Sequence, residues 1–375
     1  MIASPITITP PEPTRRPTSI TVIGAGVVGL SVAWLLGQHG HRVELIDPAL
    51  AEGQSSQAGS SAALGLLMAQ VFRRSSGRGW RLRQQSLALW QHWRQLLEQR
   101  GHAIPWRAGL LQLASNEQEW LAQVRLAEAR QKQGLPLRLL SRDALQELTP
   151  ALPAAAAGAL LSPEDGQIDP LPAMAALLQD ARHHGLLTRA ARVERLERGS
   201  SSPDARWRIA TDAGVCSSEW LVVAAGLGSP QLLQPLGHSR PQSPVLGQAL
   251  ELQLPAGCDA ERWPGSVSWD GINLVPRPGG RLWLGATVEP GLSEGSPEAL
   301  AELRQLAGHA PEWLREAKPL RHWQGLRARP DDRPAPVLEQ LEPGLLLASG
   351  HYRNGVLLAP ATAAWVLQQL EPSSR

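Results

Sequence analysis

The chain has 375 residues, with 36 Lys and Arg against 34 Asp and Glu and a formal net charge of +2. Charges this evenly mixed leave no basic tract for nucleic acid, and no run approaches the roughly 18 consecutive apolar residues that span a membrane. Two cysteines, Cys216 and Cys258, have no paired spacing, which excludes a disulfide scaffold and a cysteine-built metal centre and points to a reducing, cytoplasmic setting.

The length suffices for two intimately connected domains. The bias towards arginine, with Lys132 and Lys318 the only lysines, and the 14 Trp against one Tyr and one Phe look like genome composition. Residues 1–18 are Pro- and Thr-rich and lack an apolar signal region, so they read as a disordered leader.

The segment SITVIGAGVVGLSVAWLLGQHGHRVELID then carries a buried strand, a glycine turn, an apolar helix to about His39 and a second strand ending at Asp47. Gly24, Gly26 and Gly29 form a G-x-G-x-x-G pattern, which suits a dinucleotide. Gly24 allows the tight turn, Gly26 lets the backbone approach a pyrophosphate, and Gly29 lets helix and strand pack closely. Val27 and Val28 open the helix, whose free N–H groups and positive dipole end face the phosphates. Asp47 stands where a carboxylate accepts from an adenosine ribose. The motif alone does not choose between NAD and FAD.

Further along, Ser75 to Arg100 reads as a long helix, with Trp80, Leu87, Trp90 and Leu97 near helical spacing. Gly109 to Ala114 reads as a strand and Asn116 to Gln133 as a helix; Ser141 caps a helix to Leu148, and Ile168-Asp169-Pro170 leads into another that Gly185 ends. Leu187 to Leu196, Trp207 to Thr211 and Trp220 to Ala225 read as strands; Val245 to Leu254, Ile272 to Val275 and Arg281 to Ala286 read as a more open sheet. Helices are expected over Ser296 to Ala307 and Val356 to Leu370. In LVVAAGLGS, a strand breaks into Ala224, Ala225 and Gly226. Small residues at a strand's C-terminal end leave room for a ligand in the crevice of an open α/β sheet.

Several motifs in order resemble the glycine oxidases of the D-amino-acid oxidase superfamily of FAD enzymes. LLLASGHYRNGVLLAPATAAWV, from Leu345 to Val366, resembles their flavin-facing C-terminal motif, and WQGLRARPDD, from Trp323 to Asp332, the segment carrying the substrate-binding arginine. NLVPRPGGRLWLGATVEP, from Asn273 to Pro290, resembles substrate-domain strands; Ser60-Ser61-Ala62 and GQIDP complete the series. The resemblance implies a Rossmann-like FAD-binding domain with a second α+β substrate domain on an antiparallel or mixed sheet. The FAD-binding parts are expected at 19–75, 156–240 and 321–372, and the substrate parts at 76–155 and 241–320.

The resemblance also implies roles. Ser60, Ser61, Ala62, Ala225 and Gly226 would contact FAD, Val193 would cover the adenine, and Leu66 would lie on the flavin side. Gly350, Asn354, Gly355 and Val356 would turn N–H groups and a helix dipole towards the flavin, where negative charge appears on reduction. Arg327 would hold the substrate carboxylate as a bidentate fork, with Arg353 a second cation at the flavin edge. A tyrosine that supports the carboxylate in this family is replaced by Asn273, and a methionine by Val288. His322 and His351 are not needed as bases, because hydride transfer can proceed by alignment.

The implied activity is oxidation of glycine or another small amino acid, with oxygen or another electron acceptor, in the context of thiamine thiazole synthesis. FAD is expected to be non-covalent, metal absent, and a homo-oligomer follows only from the resemblance. The alternatives are a D-amino-acid or N-methyl-amino-acid dehydrogenase, a non-catalytic flavin-binding protein and, disfavoured by the C-terminal motif, an NAD-dependent dehydrogenase.

Overall fold

The computed structural model describes residues 17–52, 59–199 and 205–371; residues 1–16 of the expected leader lie outside them. Around the N-terminal motif the chain builds a six-stranded sheet. Its order is Val337–Glu342, Leu345–Ser349, Trp220–Val223, Ser19–Ile23, Arg42–Ile46 and Leu187–Arg189. The strands are parallel except for Val337–Glu342.

Both faces of this sheet are covered, which explains its nearly continuous apolar strands. Ile20, Val22, Val222 and Leu346 point to one face, against the helices Val27–Gln38, Gly77–Gln99, Pro170–His183 and Gly355–Leu370. There Trp34, Trp90 and Trp93 are fully buried, and the Trp34 indole donates to Asp180 Oδ2 at 2.7 Å. Ile23, Leu221, Val223, Leu345 and Leu347 point to the other face, against a three-stranded antiparallel sheet of Val193–Arg198, Trp207–Thr211 and Gly214–Ser218.

A second, mixed sheet runs in the order Glu289–Pro290, Gln242–Gln253, Arg281–Gly285, Ile272–Arg277, Ser266–Trp269, Trp106–Ala114, Gly158–Ile168 and Leu66–Leu67. Lys318–Pro330 pairs along Gln242–Gln253, and Arg138–Ser141 along Gly158–Ile168. This sheet extends past the expected boundaries at 156 and 321, since it includes both Gly158–Ile168 and Lys318–Pro330.

Two departures from the expected elements have physical causes. The stretch expected as a single strand from Leu187 to Leu196 is divided: Leu187–Arg189 joins the parallel sheet and Val193–Arg198 the small one. Gly158–Ile168 escapes the pattern because Ser162-Pro163-Glu164-Asp165-Gly166 reads as a turn. In the ladder Ala108 faces Gly166 and Leu110 faces Ser162, so residues 163–165 bulge out of one continuous strand.

The glycine turn is set by contacts that allow no side chain. Gly24 has φ +104, and a Cβ there would stand 2.5 Å from the Ala224 carbonyl oxygen. A Cβ on Gly29 would stand 1.8 Å from the Gly24 oxygen. Gly29→Ala is therefore expected to force helix from strand and lower stability by about 1–3 kcal/mol or more, read as a reduced urea midpoint with an unchanged slope.

Candidate active site

The ends of the parallel strands and one face of the large sheet enclose a cleft of about 1640 Å³. On the parallel-sheet side it is lined by Gly24, Gly26, Val28, Asp47, Ser60, Ala62, Val193, Ala225 and Gly226. Gly350, Arg353, Asn354, Gly355 and Val356 line it from the C-terminal turn, and Asn273 and Arg327 from the opposite wall, with Leu66 nearby. Three of the expected residues, Val27, Gly29 and Ser61, do not line it. Val27 is buried, and its N–H donates to Ser60 Oγ at 3.1 Å. Val288 is also outside the lining and 45% exposed.

At the nucleotide-motif end the Asp47 carboxylate is held by its own surroundings. Oδ2 accepts from the Ala25 N–H and Oδ1 from the Ala49 N–H, both at 2.8 Å. A carboxylate has about four lone-pair sites, so Asp47 keeps acceptor capacity towards the cleft. The turn at the other end is built by backbone conformation: Gly350 and Tyr352 have φ +64 and +53. The Tyr352 N–H donates to the Ala328 carbonyl at 3.1 Å, which docks the turn on the strand carrying Arg327.

Arg327 is anchored by backbone. Its Nη1 donates to the Leu246 and Thr287 carbonyls at 3.2 and 3.0 Å. Among the described residues Nε and Nη2 have no protein partner. A Cβ on Gly247 would stand 2.0 Å from Nη2, so only glycine lets the guanidinium lie there. Burial, reinforced by the Arg353 charge, pulls the Arg327 pKa below its ordinary value, against Tyr352 and Glu289. The Glu289 carboxylate is buried and accepts from Thr287 Oγ1, Gln248 Nε2 and the Ser296 N–H. Burial would raise its pKa, but those hydrogen bonds and the Arg327 charge hold it low. Gly247, Thr287 and Glu289 were not legible as site residues; only the quoted LGATVEP segment contains the last two.

Asn273 is 9% exposed, and its Oδ1 is buried without a hydrogen-bond partner among the described residues. His351 is buried against Thr362 Oγ1 at 2.9 Å. Desolvation, with the Arg78 charge, lowers its pKa to about 3, so it stays neutral and is no base. His322 instead pairs with Gln248 Oε1 at 3.0 Å.

A family model described as FAD dependent oxidoreductase matches residues 19–369. The chain belongs to this family. FAD is therefore the cofactor of this oxidoreductase. It is 30% identical over 359 residues to the glycine oxidase of Geobacillus kaustophilus, covering 94% of this chain and 92% of that one. The crystal structure of a glycine oxidase from that organism superposes with TM-score 0.84 at 29% identity, covering 96% of each chain. The bifunctional protein ThiO/ThiG of Nostoc sp. is 30% identical over 92% of this chain, which spans 52% of that longer protein.

The cleft fits an FAD molecule on its own evidence. The Gly26 backbone is bare, the helices Val27–Gln38 and Gly355–Leu370 both start at the cleft, and among the described residues its lining carboxylates are Asp47 and Glu194. Neither Cys216 nor Cys258 lines it.

Gly247→Ala tests the Arg327 anchorage without removing the arginine. The holoenzyme should lose about tenfold or more of its affinity for a simple carboxylate, the value of one or two charge-assisted hydrogen bonds. The His351 pKa, lowered from 6.5 to about 3, contributes stability that is complete above 6.5 and lost as pH falls towards 3. His351→Gln should therefore flatten the fall in urea midpoint across that window.

Proposed function

We propose that this oxidoreductase oxidises glycine or another small amino acid at Cα to the imine, with oxygen or a second acceptor taking the electrons. The observation that carries this reading is Arg327: a half-buried guanidinium, pinned by one nitrogen, with its remaining donors free beside the Gly350–Gly355 turn. The glycine oxidase relatives support the substrate class, and ThiO/ThiG supports a thiazole-forming context.

The redox chemistry, two electrons taken from the amine carbon and given up to oxygen or a second acceptor, would be supplied by FAD when bound. The chain supplies binding and alignment. Nε and Nη2 of Arg327 would hold the two carboxylate oxygens, fixing the Cα–H direction. Arg353 would add positive charge at the same end. The N–H groups opening Gly355–Leu370 would favour negative charge on the neighbouring cofactor edge. Gly24, Gly26, Ser60, Asp47, Val193 and Ala225 would hold the nucleotide part, which needs no covalent link.

A second reading is favoured by one residue. Asn273 is shorter than the expected tyrosine and leaves an unsatisfied amide in the wall, which suits a larger D-amino acid or N-methyl amine.

The purified protein should show oxidised-flavin bands that bleach on anaerobic addition of glycine and return with peroxide on admitting air. Bands that persist with glycine but bleach with D-amino acids or N-methyl amines would transfer the assignment to the second reading. Arg327→Ala should keep its flavin and raise KM about 100-fold or more, at the upper value of a hydrogen bond to a charged group; wild-type kinetics would remove Arg327 from the site.

A further inference from the structure

Beyond Asn273 the large sheet reaches the cleft again at Gln112, with the buried Ser268 between the two. Asn273 is in register with Ser268, and Ser268 with Gln112, so the three side chains point to one face. Leu160 follows in the same row. Over Leu160 and Leu110 lies the irregular segment 68–75, through Met68 and Val71.

This segment is held from both sides by buried charge. Asp165 Oδ1 accepts from the Ala69 and Gln70 N–H groups at 2.8 and 2.9 Å, and Oδ2 from the Val71 N–H at 3.1 Å. Arg130, also fully buried, donates to the carbonyls of Gln70, Phe72 and Arg74 at 2.9, 2.5 and 3.2 Å. Burying a carboxylate is costly, and here burial pushes its pKa up to about 6 despite these bonds. Two buried charges thus fix the path of a segment that has no ladder of its own.

The segment carries Arg73 and Arg74 at the cleft mouth, and Arg83 joins them there with its guanidinium 3.9 Å above the Phe72 ring. Among the described residues none of the three pairs with a carboxylate. The Arg83 Nε is buried with no partner, and the two lining carboxylates, Asp47 and Glu194, lie at the nucleotide end.

We propose that Arg73, Arg74 and Arg83, positioned by Asp165 and Arg130, form a second anion subsite, which takes an acidic group on the substrate beyond the carboxylate held by Arg327. The preferred amine is then an amino dicarboxylate, with the polar row Asn273–Ser268–Gln112 beneath the portion joining its two acidic ends. This rests on the amine-oxidising reading above for the chemistry, though not for the subsite itself.

The test is calorimetric titration of the FAD-loaded protein with glutarate and with butyrate, which share one carboxylate and differ in the second. Glutarate is expected to bind at least fivefold tighter, and that ratio should fall below fivefold in the Arg73→Gln/Arg74→Gln double variant. A smaller ratio in the wild type, or a fivefold ratio that survives in the double variant, overturns the subsite. Arg130→Lys should reduce the ratio with butyrate affinity as internal reference, and an unchanged ratio removes Arg130 as a positioning residue. Glycine bleaching read on the same preparation separates the two claims. Bleaching without a glutarate preference sinks the subsite alone, and a preference without bleaching by any amine sinks the oxidase reading alone.

Discussion

Gly29 meets the Gly24 carbonyl, and Gly24 meets Ala224, with no space for a side chain at either contact. This closeness places the first turn of Val27–Gln38 directly over the ends of Ser19–Ile23 and Trp220–Val223. The cleft opens where those strands stop, and the small residues Gly26, Ala225 and Gly226 form its floor on that side. The C-terminal turn completes the same wall because Leu345–Ser349 is the next parallel strand. Both helix starts therefore converge on one cavity through strand order alone, and each adds positive potential there.

The opposite wall obeys a different constraint, that of a cation half removed from water. Arg327 is tolerable because two backbone carbonyls take one of its nitrogens and Glu289 stands nearby as a hydrogen-bonded carboxylate. Lys318–Pro330 pairs with Gln242–Gln253 over nearly its full length, so this guanidinium is carried on a stiff ribbon. Tyr352 docks on the same ribbon, joining the flexible-looking Gly350–Gly355 motif to the wall it faces. The two walls are thus referenced to each other by main-chain bonds.

Local pattern made the nucleotide half legible. A G-x-G-x-x-G turn between apolar strands has few other structural solutions, and the short range from Ser19 to Asp47 contains that turn with both of its flanking strands. The long helix Gly77–Gln99 was likewise visible in its Leu87, Trp90 and Leu97 spacing. What stayed hidden depends on distant partners. Gly158–Ile168 hides behind Pro163 and Gly166, because a bulge and a turn share the same residues. Arg327 and Arg353 were found through family motifs, whereas Gly247 and Glu289 carry no local sign of the arginine they accommodate. Arg130 is one of two arginines in the helix Glu117–Gln131, with no local sign that sets it apart from Arg125, yet it is fully buried.

The chain passes from the parallel sheet to the large one after Ile46, returns after Ile168, leaves after Val223 and returns after Pro330. During synthesis, Ser19–Ile23 emerges first but sits at the sheet's centre, and its neighbour Trp220–Val223 then waits for Leu345–Ser349. Such long-range pairing is slow, and the sheet keeps an unfinished edge until Leu345–Ser349 has docked on Trp220–Val223. The complete cleft accordingly requires segments that lie far apart in the chain to have met, so cofactor capture needs all of them. It acts on the assembled molecule as a whole, because no cut between the crossings leaves either sheet with all of its strands.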